Sequence, residues 1–323
     1  MLLHIITAAA LLTGAPQNGT WTNVTGTLGG PKWGYSGVNI IKTVPGTNRI
    51  LAGVSGAGMW KSDDQGTSWQ QLEGGAVIGH RTTDIVFDPK NADTFWVGGC
   101  YGPGVYKTTD GGRSFVKLGN VDHVDGLAVD LFDEYRRTLV VGIHEKTREM
   151  MVSFSSGISW KPIGDNLPAG AGQYGILEIL AEDTLVVAWP EGRAPGIFRS
   201  TDTGKTWTKT AEYKATGRGV FTKDKVYLLP VAGGTVRSNN AGRTWDFAPG
   251  PGLRQLEVQP DGSILGLAEN RLHISRDGGA TWQPFGPVMP IKPSGFTFIH
   301  SKQTLIIWQN SATRATNAVY RWR

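Results

Sequence analysis

Along most of the chain, short apolar or β-branched runs alternate with clusters of Gly, Pro, Asn and Asp, a texture that predicts strands joined by tight turns. One unit reads Gly37-Val38-Asn39-Ile40-Ile41, a turn at Pro45-Gly46-Thr47-Asn48, the run Arg49 to Val54, a Gly-rich loop, then Met59-Trp60-Lys61-Ser62. Three strands therefore precede the segment Ser62-Asp63-Asp64-Gln65-Gly66-Thr67-Ser68-Trp69, and one follows it.

That segment recurs. Five further copies are Thr108 to Phe115, Ser153 to Trp160, Ser200 to Trp207, Ser238 to Trp245 and Ser275 to Trp282. The closing aromatics lie 46, 45, 47, 38 and 37 residues apart, a period that suits one four-stranded propeller blade. Within each copy the Asp or Asn can accept backbone N–H bonds of its own turn, the glycine supplies a left-handed residue, and the aromatic packs between sheets. Asp63 and Asp64 are thus read as turn residues, since the alternating acids and closing glutamate of a calcium loop are absent. Ser155 and Asn240 replace the aspartate in two copies, so those turns are expected to be less firmly pinned.

Seven innermost strands can be counted, at Tyr35 to Lys42, Arg81 to Asp88, His123 to Asp130, Tyr174 to Leu180, Arg218 to Thr222, Leu253 to Val258 and Ser294 to His300. The seventh unit continues through Thr304 to Trp308 and Ala318 to Trp322 and then lacks an outer strand. Gly19-Thr20-Trp21-Thr22-Asn23-Val24 copies the missing piece, which predicts a ring closed by the N-terminal strand. The expected fold is an all-β, seven-bladed propeller.

Composition agrees with this reading. Of 323 residues, 45 are Gly, 17 Pro and 12 Trp, while 18% are charged, which argues against a helical bundle. With 39% hydrophobic residues the chain can bury a substantial core, which excludes disorder. The lone Cys100 excludes an internal disulfide framework and a Cys-based zinc cluster. A net charge of +5 favours anionic partners but falls short of a nucleic-acid-binding balance, and no apolar run after residue 20 could span a bilayer. Residues 1–15 are read as a secretory signal peptide, apolar from Leu2 to Leu12, with 16–323 forming a single domain. The expected location is extracellular or periplasmic.

The Ser-x-Asp-x-Gly-x-Thr/Ser-Trp repeat resembles that of the Asp-box (BNR) propellers, a family that includes sialidases, xyloglucanases, sortilin-type receptors and photosystem II assembly factors. The resemblance spans nearly the whole mature chain, but it rests on structural hairpins and leaves the chemistry open. It implies that function gathers on the face opposite the box hairpins, around the central axis. A sialidase-type Arg-Ile-Pro motif is absent, the nearest sequence being Arg49-Ile50-Leu51. Where xyloglucanases carry an acid in the first blade, this chain has Val54-Ser55-Gly56-Ala57-Gly58.

On the opposite face the inner strands begin near Tyr35, His80, Arg81, His123, Tyr174, Arg218 and Arg254, and the middle loops add Tyr101, His144, Trp189 and Trp308. The available carboxylates there are mainly Asp84, Asp122, Asp125, Glu145, Glu178 and Glu191. A rim rich in Arg, His and aromatic residues suits an acidic sugar, because guanidinium groups grip carboxylates and ring faces stack on pyranoses. β-Elimination from a uronate requires a base, an acid and a cation on the carboxylate. His123, Tyr174 and His80 are the expected catalytic residues. Tyr35, Arg81, Tyr101, His144, Trp189, Arg218, Arg254 and Trp308 are expected to bind substrate. No cofactor is expected, and no spaced metal motif occurs. The alternatives are a glycoside hydrolase, which needs two suitably spaced acids, or a non-catalytic module that holds a protein partner on its basic face.

Overall fold

The computed structural model describes residues 19–30, 33–34, 36–79, 81–102, 104–168, 176–181, 184–189, 196–310 and 318–323, of which 176, 188 and 189 are described for their backbone only. The segment expected to be a signal peptide lies outside them. Among the described residues the strands form seven four-stranded sheets, each an antiparallel meander. Six sheets take their strands in chain order. In the seventh, Gly295–Ile299, Thr304–Gln309 and Ala318–Trp322 are completed by Trp21–Asn23.

Trp21 pairs with Trp322, Thr22 with Arg321 and Asn23 with Tyr320, and the Val24 amide donates to the Val319 carbonyl at 2.8 Å. This is the closure expected from the sequence. It also builds core, because Val24, Ile299, Ile306, Trp308 and Val319 of the seventh blade pack with Val38, Ile41, Ile50 and Trp69 of the first. Without disulfides, this shared apolar slab and the strand pairing hold the ring shut.

Second strands such as Ile50–Val54, Tyr227–Val231 and Ile264–Ala268 are buried along their whole length, since a neighbouring blade covers each face. Outer strands such as Gln70–Gln71, Val116–Lys117 and Lys161–Pro162 are short and exposed, so each free edge offers little for another chain to pair with. Among the described residues no helix is long and apolar enough to cross a membrane.

The box turns hold their strands as their residues predict. The Ser62 hydroxyl accepts from the Gly66 amide at 2.7 Å and donates to Asp64 Oδ1 at 2.8 Å, while Asp64 accepts from the Ser68 amide and hydroxyl at 2.8 and 2.7 Å. Gly66 sits at φ 88°, where a Cβ would be strained and would press on Val24. The Ser114 side chain and amide hold the Asp110 carboxyl well below its usual range, which marks a structural anion rather than an acid catalyst. Asn240 retains the bonds to Ser238 and to the Thr244 amide and hydroxyl, and Ser155 those to Ser153 and Ser159. The two departures remove charge from the turn and keep its geometry, a milder change than the sequence suggested.

Inner strands of four blades are also held by side chains of the preceding blade. Lys42 Nζ donates to the Ile85 carbonyl at 2.8 Å, Thr83 to that of Val124 at 2.9 Å, and Gln255 to that of Phe296 at 2.7 Å. Glu257 accepts the Phe298 amide at 3.0 Å, and Thr297 accepts that of Thr43 at 3.1 Å. These bonds stitch one inner strand to the next around the axis.

Candidate functional site

Two polar clusters stand out, one inside the channel and one on the rim opposite the box turns. The channel cluster draws on inner strands of several blades. Asp84, buried at 1% exposure, accepts from Arg218 Nη2 at 2.6 Å and from the Leu127 amide at 3.0 Å, and Arg218 also donates to the Leu127 carbonyl at 3.1 Å. Lys42, Glu178 and Glu257 complete the lining. Burial lowers Lys42 from its ordinary value and raises Glu257, while Glu178 is pushed up to about 7, mainly by burial. Burial likewise raises the Tyr227 phenol, with a smaller contribution from Glu178.

The rim cluster belongs to blades two and three. Cys100 ends the second strand of blade two, Asn91–Cys100, and Tyr101 opens the loop that follows. His123 leads into the inner strand of blade three, Val124–Val129, and His144 follows its second strand, Leu139–Ile143. Strands two end and strands one begin on the face away from the boxes, so all these residues meet there. A bulge between Val124 and Gly126 breaks the register at Asp125 and re-aims its side chain.

The resulting geometry is a hydrogen-bonded chain. Asp125 Oδ2 lies 2.6 Å from His144 Nδ1, and His144 Nε2 lies 2.9 Å from the Tyr101 hydroxyl. With the Nδ1 proton donated to the carboxylate, Nε2 carries the lone pair that accepts the phenolic proton. The Tyr101 and His144 rings meet edge to face at 4.8 Å, and Tyr101 contacts the exposed His123 ring at 6.4 Å. The His144 amide donates to the His123 carbonyl at 2.6 Å, locking the two loops together. Asp125 is half-buried, His144 is 6% exposed and Tyr101 37%, so exposure rises along the chain from the imidazole to the tyrosine. Tyr101, His123 and Glu145 all sit in the left-handed region, at φ 58°, 54° and 57°, which for such side chains costs of order 1–3 kcal/mol each.

Glu145 and Arg81 flank the chain. Glu145 Oε1 is 3.5 Å from His144 Nε2, and Arg81 pairs across the sheet with Cys100, close enough for its charge to bear on the thiol. Burial, with a smaller effect of Asp125, pushes the Cys100 thiol up to about 11. It therefore stays protonated at neutral pH and is no nucleophile as it stands.

Of the residues expected at the site, Arg81, Tyr101, His123 and His144 come together. Arg218 lies in the channel instead, engaged with Asp84. The guanidinium of Arg254 is occupied by the carbonyls of Ser294 at 3.2 Å, Glu269 at 3.1 Å and Pro293, so it braces loops rather than facing a ligand. Trp308 is 3% exposed in the slab between blades seven and one and presents no ring face to a sugar. Tyr35, His80, Tyr174 and the Trp189 side chain lie outside the described residues. Asp125 is the member that sequence reasoning noted only as a carboxylate, because its role depends on the bulge. A separate cleft of about 530 Å³ opens near the box turns of blades five and six, where Lys223, Arg237 and Arg276 mix with Asp224, Asp246 and Asp261.

No family model matches the chain. A xyloglucanase from Paenibacillus sp is 23% identical over 314 residues, covering 83% of this chain and 28% of that protein. The chain spans about a third or less of the length of the curated relatives it matches. Among solved structures, the GH74 xyloglucanase from Xanthomonas campestris superposes with a TM-score of 0.60 at 18% identity, covering 90% of this chain and 52% of that one. YCF48 bound to D1 peptide superposes with a TM-score of 0.59 at 15% identity, covering 94% and 96%. The chain is thus a seven-bladed propeller with xyloglucanase and YCF48 propellers as neighbours. At these identities the structural likeness speaks to the fold alone.

Proposed function

We propose that the protein is a secreted, carbohydrate-active propeller that cleaves an acidic poly- or oligosaccharide by β-elimination at the rim of blades two and three. The observation that carries this reading is the chain from Asp125 through His144 to the hydroxyl of Tyr101, a residue 37% exposed. In its deprotonated form, with the phenolic proton held on His144, Tyr101 is the base that removes the C5 proton of a uronate. The electron pair forms the C4=C5 double bond, the C4–O bond breaks, and the departing oxygen takes a proton from the exposed His123. Asp125 stabilises the imidazolium formed meanwhile, and Arg81 neutralises the substrate carboxylate. The apolar segment from Leu2 to Leu12 supports export.

Hydrolysis is the second reading, favoured by the similarity to xyloglucanases and by the two carboxylates, Asp125 and Glu145, that approach His144. One assay separates the two. The protein is incubated with a panel of uronate polysaccharides and with xyloglucan, and both the ultraviolet absorbance of unsaturated ends and the release of reducing ends are followed. Elimination yields both signals and hydrolysis only the second. Neither signal on any glycan would leave a binding module that holds its partner on the basic face. Tyr101→Phe should lower turnover by about 10²–10⁴-fold with an unchanged melt, and full activity in that variant would refute the assignment.

A further inference from the structure

Cys100 stands beside the proton relay and takes no part in it. Its Sγ, a carboxylate oxygen of Asp125 and a ring nitrogen of His144 all lie within 4.8 Å of one another, and the thiol is fully buried. We propose that these three side chains form a binding site for a thiophilic divalent ion of the Zn²⁺ class.

The donor set selects the ion. Thiolate, imidazole and carboxylate together suit Zn²⁺ or Co²⁺, whereas Mg²⁺ and Ca²⁺ require oxygen ligands. Ligand atoms bound at about 2.0–2.3 Å in a tetrahedron stand about 3.3–3.6 Å apart, so the three side chains, now within 4.8 Å of one another, have to adjust by up to about 1 Å, with the Asp125–His144 bond opening to admit the ion. The three residues come from the end of one strand, a bulge and the end of another strand in adjacent blades, which fixes their backbones. Charge also balances. Thiolate, Asp125 and Glu145 offer three negative charges, matched by Arg81 and a divalent ion. The fourth position is open to water, since Glu145 and Tyr101 stand against His144 Nε2, at 3.5 and 2.9 Å, while Asp125 stands against Nδ1. Binding releases the thiol proton and replaces an existing hydrogen bond of His144 with a metal bond.

An ion held there engages His144 and Asp125 and so disconnects Tyr101 from its relay. This consequence, unlike the binding itself, rests on the proposed glycan chemistry. Occupancy would therefore switch turnover off.

Cobalt titration of the full chain tests the site, and because Cys100 is the only cysteine its thiolate–cobalt charge-transfer band is unambiguous. The expected result is a near-ultraviolet band that saturates at a single equivalent, is removed by Zn²⁺ and is absent in Cys100→Ser. A missing band, or one that persists in Cys100→Ser, overturns the proposal. Should Cys100→Ser fail to fold, Asp125→Asn serves instead: it should weaken cobalt binding at least about tenfold, and unchanged affinity overturns the site. The band is read without substrate, so failure of the glycan reading leaves it standing. Conversely, a missing band leaves turnover through Tyr101 untouched.

Discussion

In the channel, Asp84 meets Arg218 at 2.6 Å and a backbone amide at 3.0 Å; at the rim, Asp125 meets His144 at 2.6 Å, and His144 meets Tyr101 at 2.9 Å. The two clusters share carboxylates, cations and short bonds but differ in where those bonds lead. Channel side chains end on the backbone of the next blade, as Lys42 does on Ile85 and Glu257 on Phe298. Rim side chains end at an exposed phenol whose own residue occupies a costly backbone conformation. Polarity and burial alone therefore do not mark a reactive site. A site also needs a group that can react: the channel path from Asp84 ends on Arg218, a fixed cation, whereas the rim path from Asp125 ends on a phenol that can give up and take back a proton.

Opening the ring should erase the distinction altogether. Removing Trp21 to Thr25 deletes the pairing with Tyr320 to Trp322 and the Val24 contribution to the slab between blades seven and one, so both clusters should lose order together. A thermal melt should drop sharply, and an unchanged midpoint would contradict the closure.

Single substitutions should separate the clusters. Asp84→Ala leaves Arg218 facing the channel without its partner. Because that guanidinium side chain is 37% exposed, the cost should sit near or below the low end of that for breaking a buried pair, about 2–3 kcal/mol, read by denaturant melts. Turnover per folded molecule should change little. Asp125→Ala should do the reverse, keeping most of the stability and losing turnover.

Glu178 sharpens the contrast through pH. Its folded-state value of about 7 lies above the ordinary 4.5, so between those values the native state holds more protons than the unfolded one. Stability should therefore fall as pH rises through that window. Glu178→Gln should flatten the slope, leaving only what Glu257 and Asp84 contribute, and stabilise the protein above neutral pH by up to about 3 kcal/mol. An unaltered pH profile of the melt in that variant would show that Glu178 stays ionised in the fold.

The smallest effect concerns the box turns. Ser155→Asp should restore the charged acceptor found at Asp64, Asp110, Asp202 and Asp277 and raise stability by about 0.5–1 kcal/mol, since bonds to a charged group are stronger. Thermal melting checks it.

The fold was legible because the repeat writes each blade into the chain separately, and Trp21 to Val24 could be matched to the missing outer strand by its residues alone. At the site, Tyr101, His123, His144 and Arg81 were legible from their places at strand ends, which the blade order sends to one face. Asp125 was not, because a bulge moves the register by a residue without a turn signal to announce it. Arg218 and Asp84 stand 134 positions apart in the chain and meet only through the curvature of the ring. Arg254 and Trp308 occupy the expected strand positions, yet whether a side chain there faces outward depends on neighbouring loops and packing that no local pattern encodes.

The clasp between the first and last strands also bears on how the molecule is made. The Thr25 hydroxyl accepts a bond from the Val319 amide across 294 positions, so a nascent polypeptide must carry an unpaired leading segment until nearly all the rest has been translated. Earlier blades can fold on the ribosome, but the final seam waits until the last blade has emerged, leaving an interval in which the unfinished assembly is open to chaperones or to self-association.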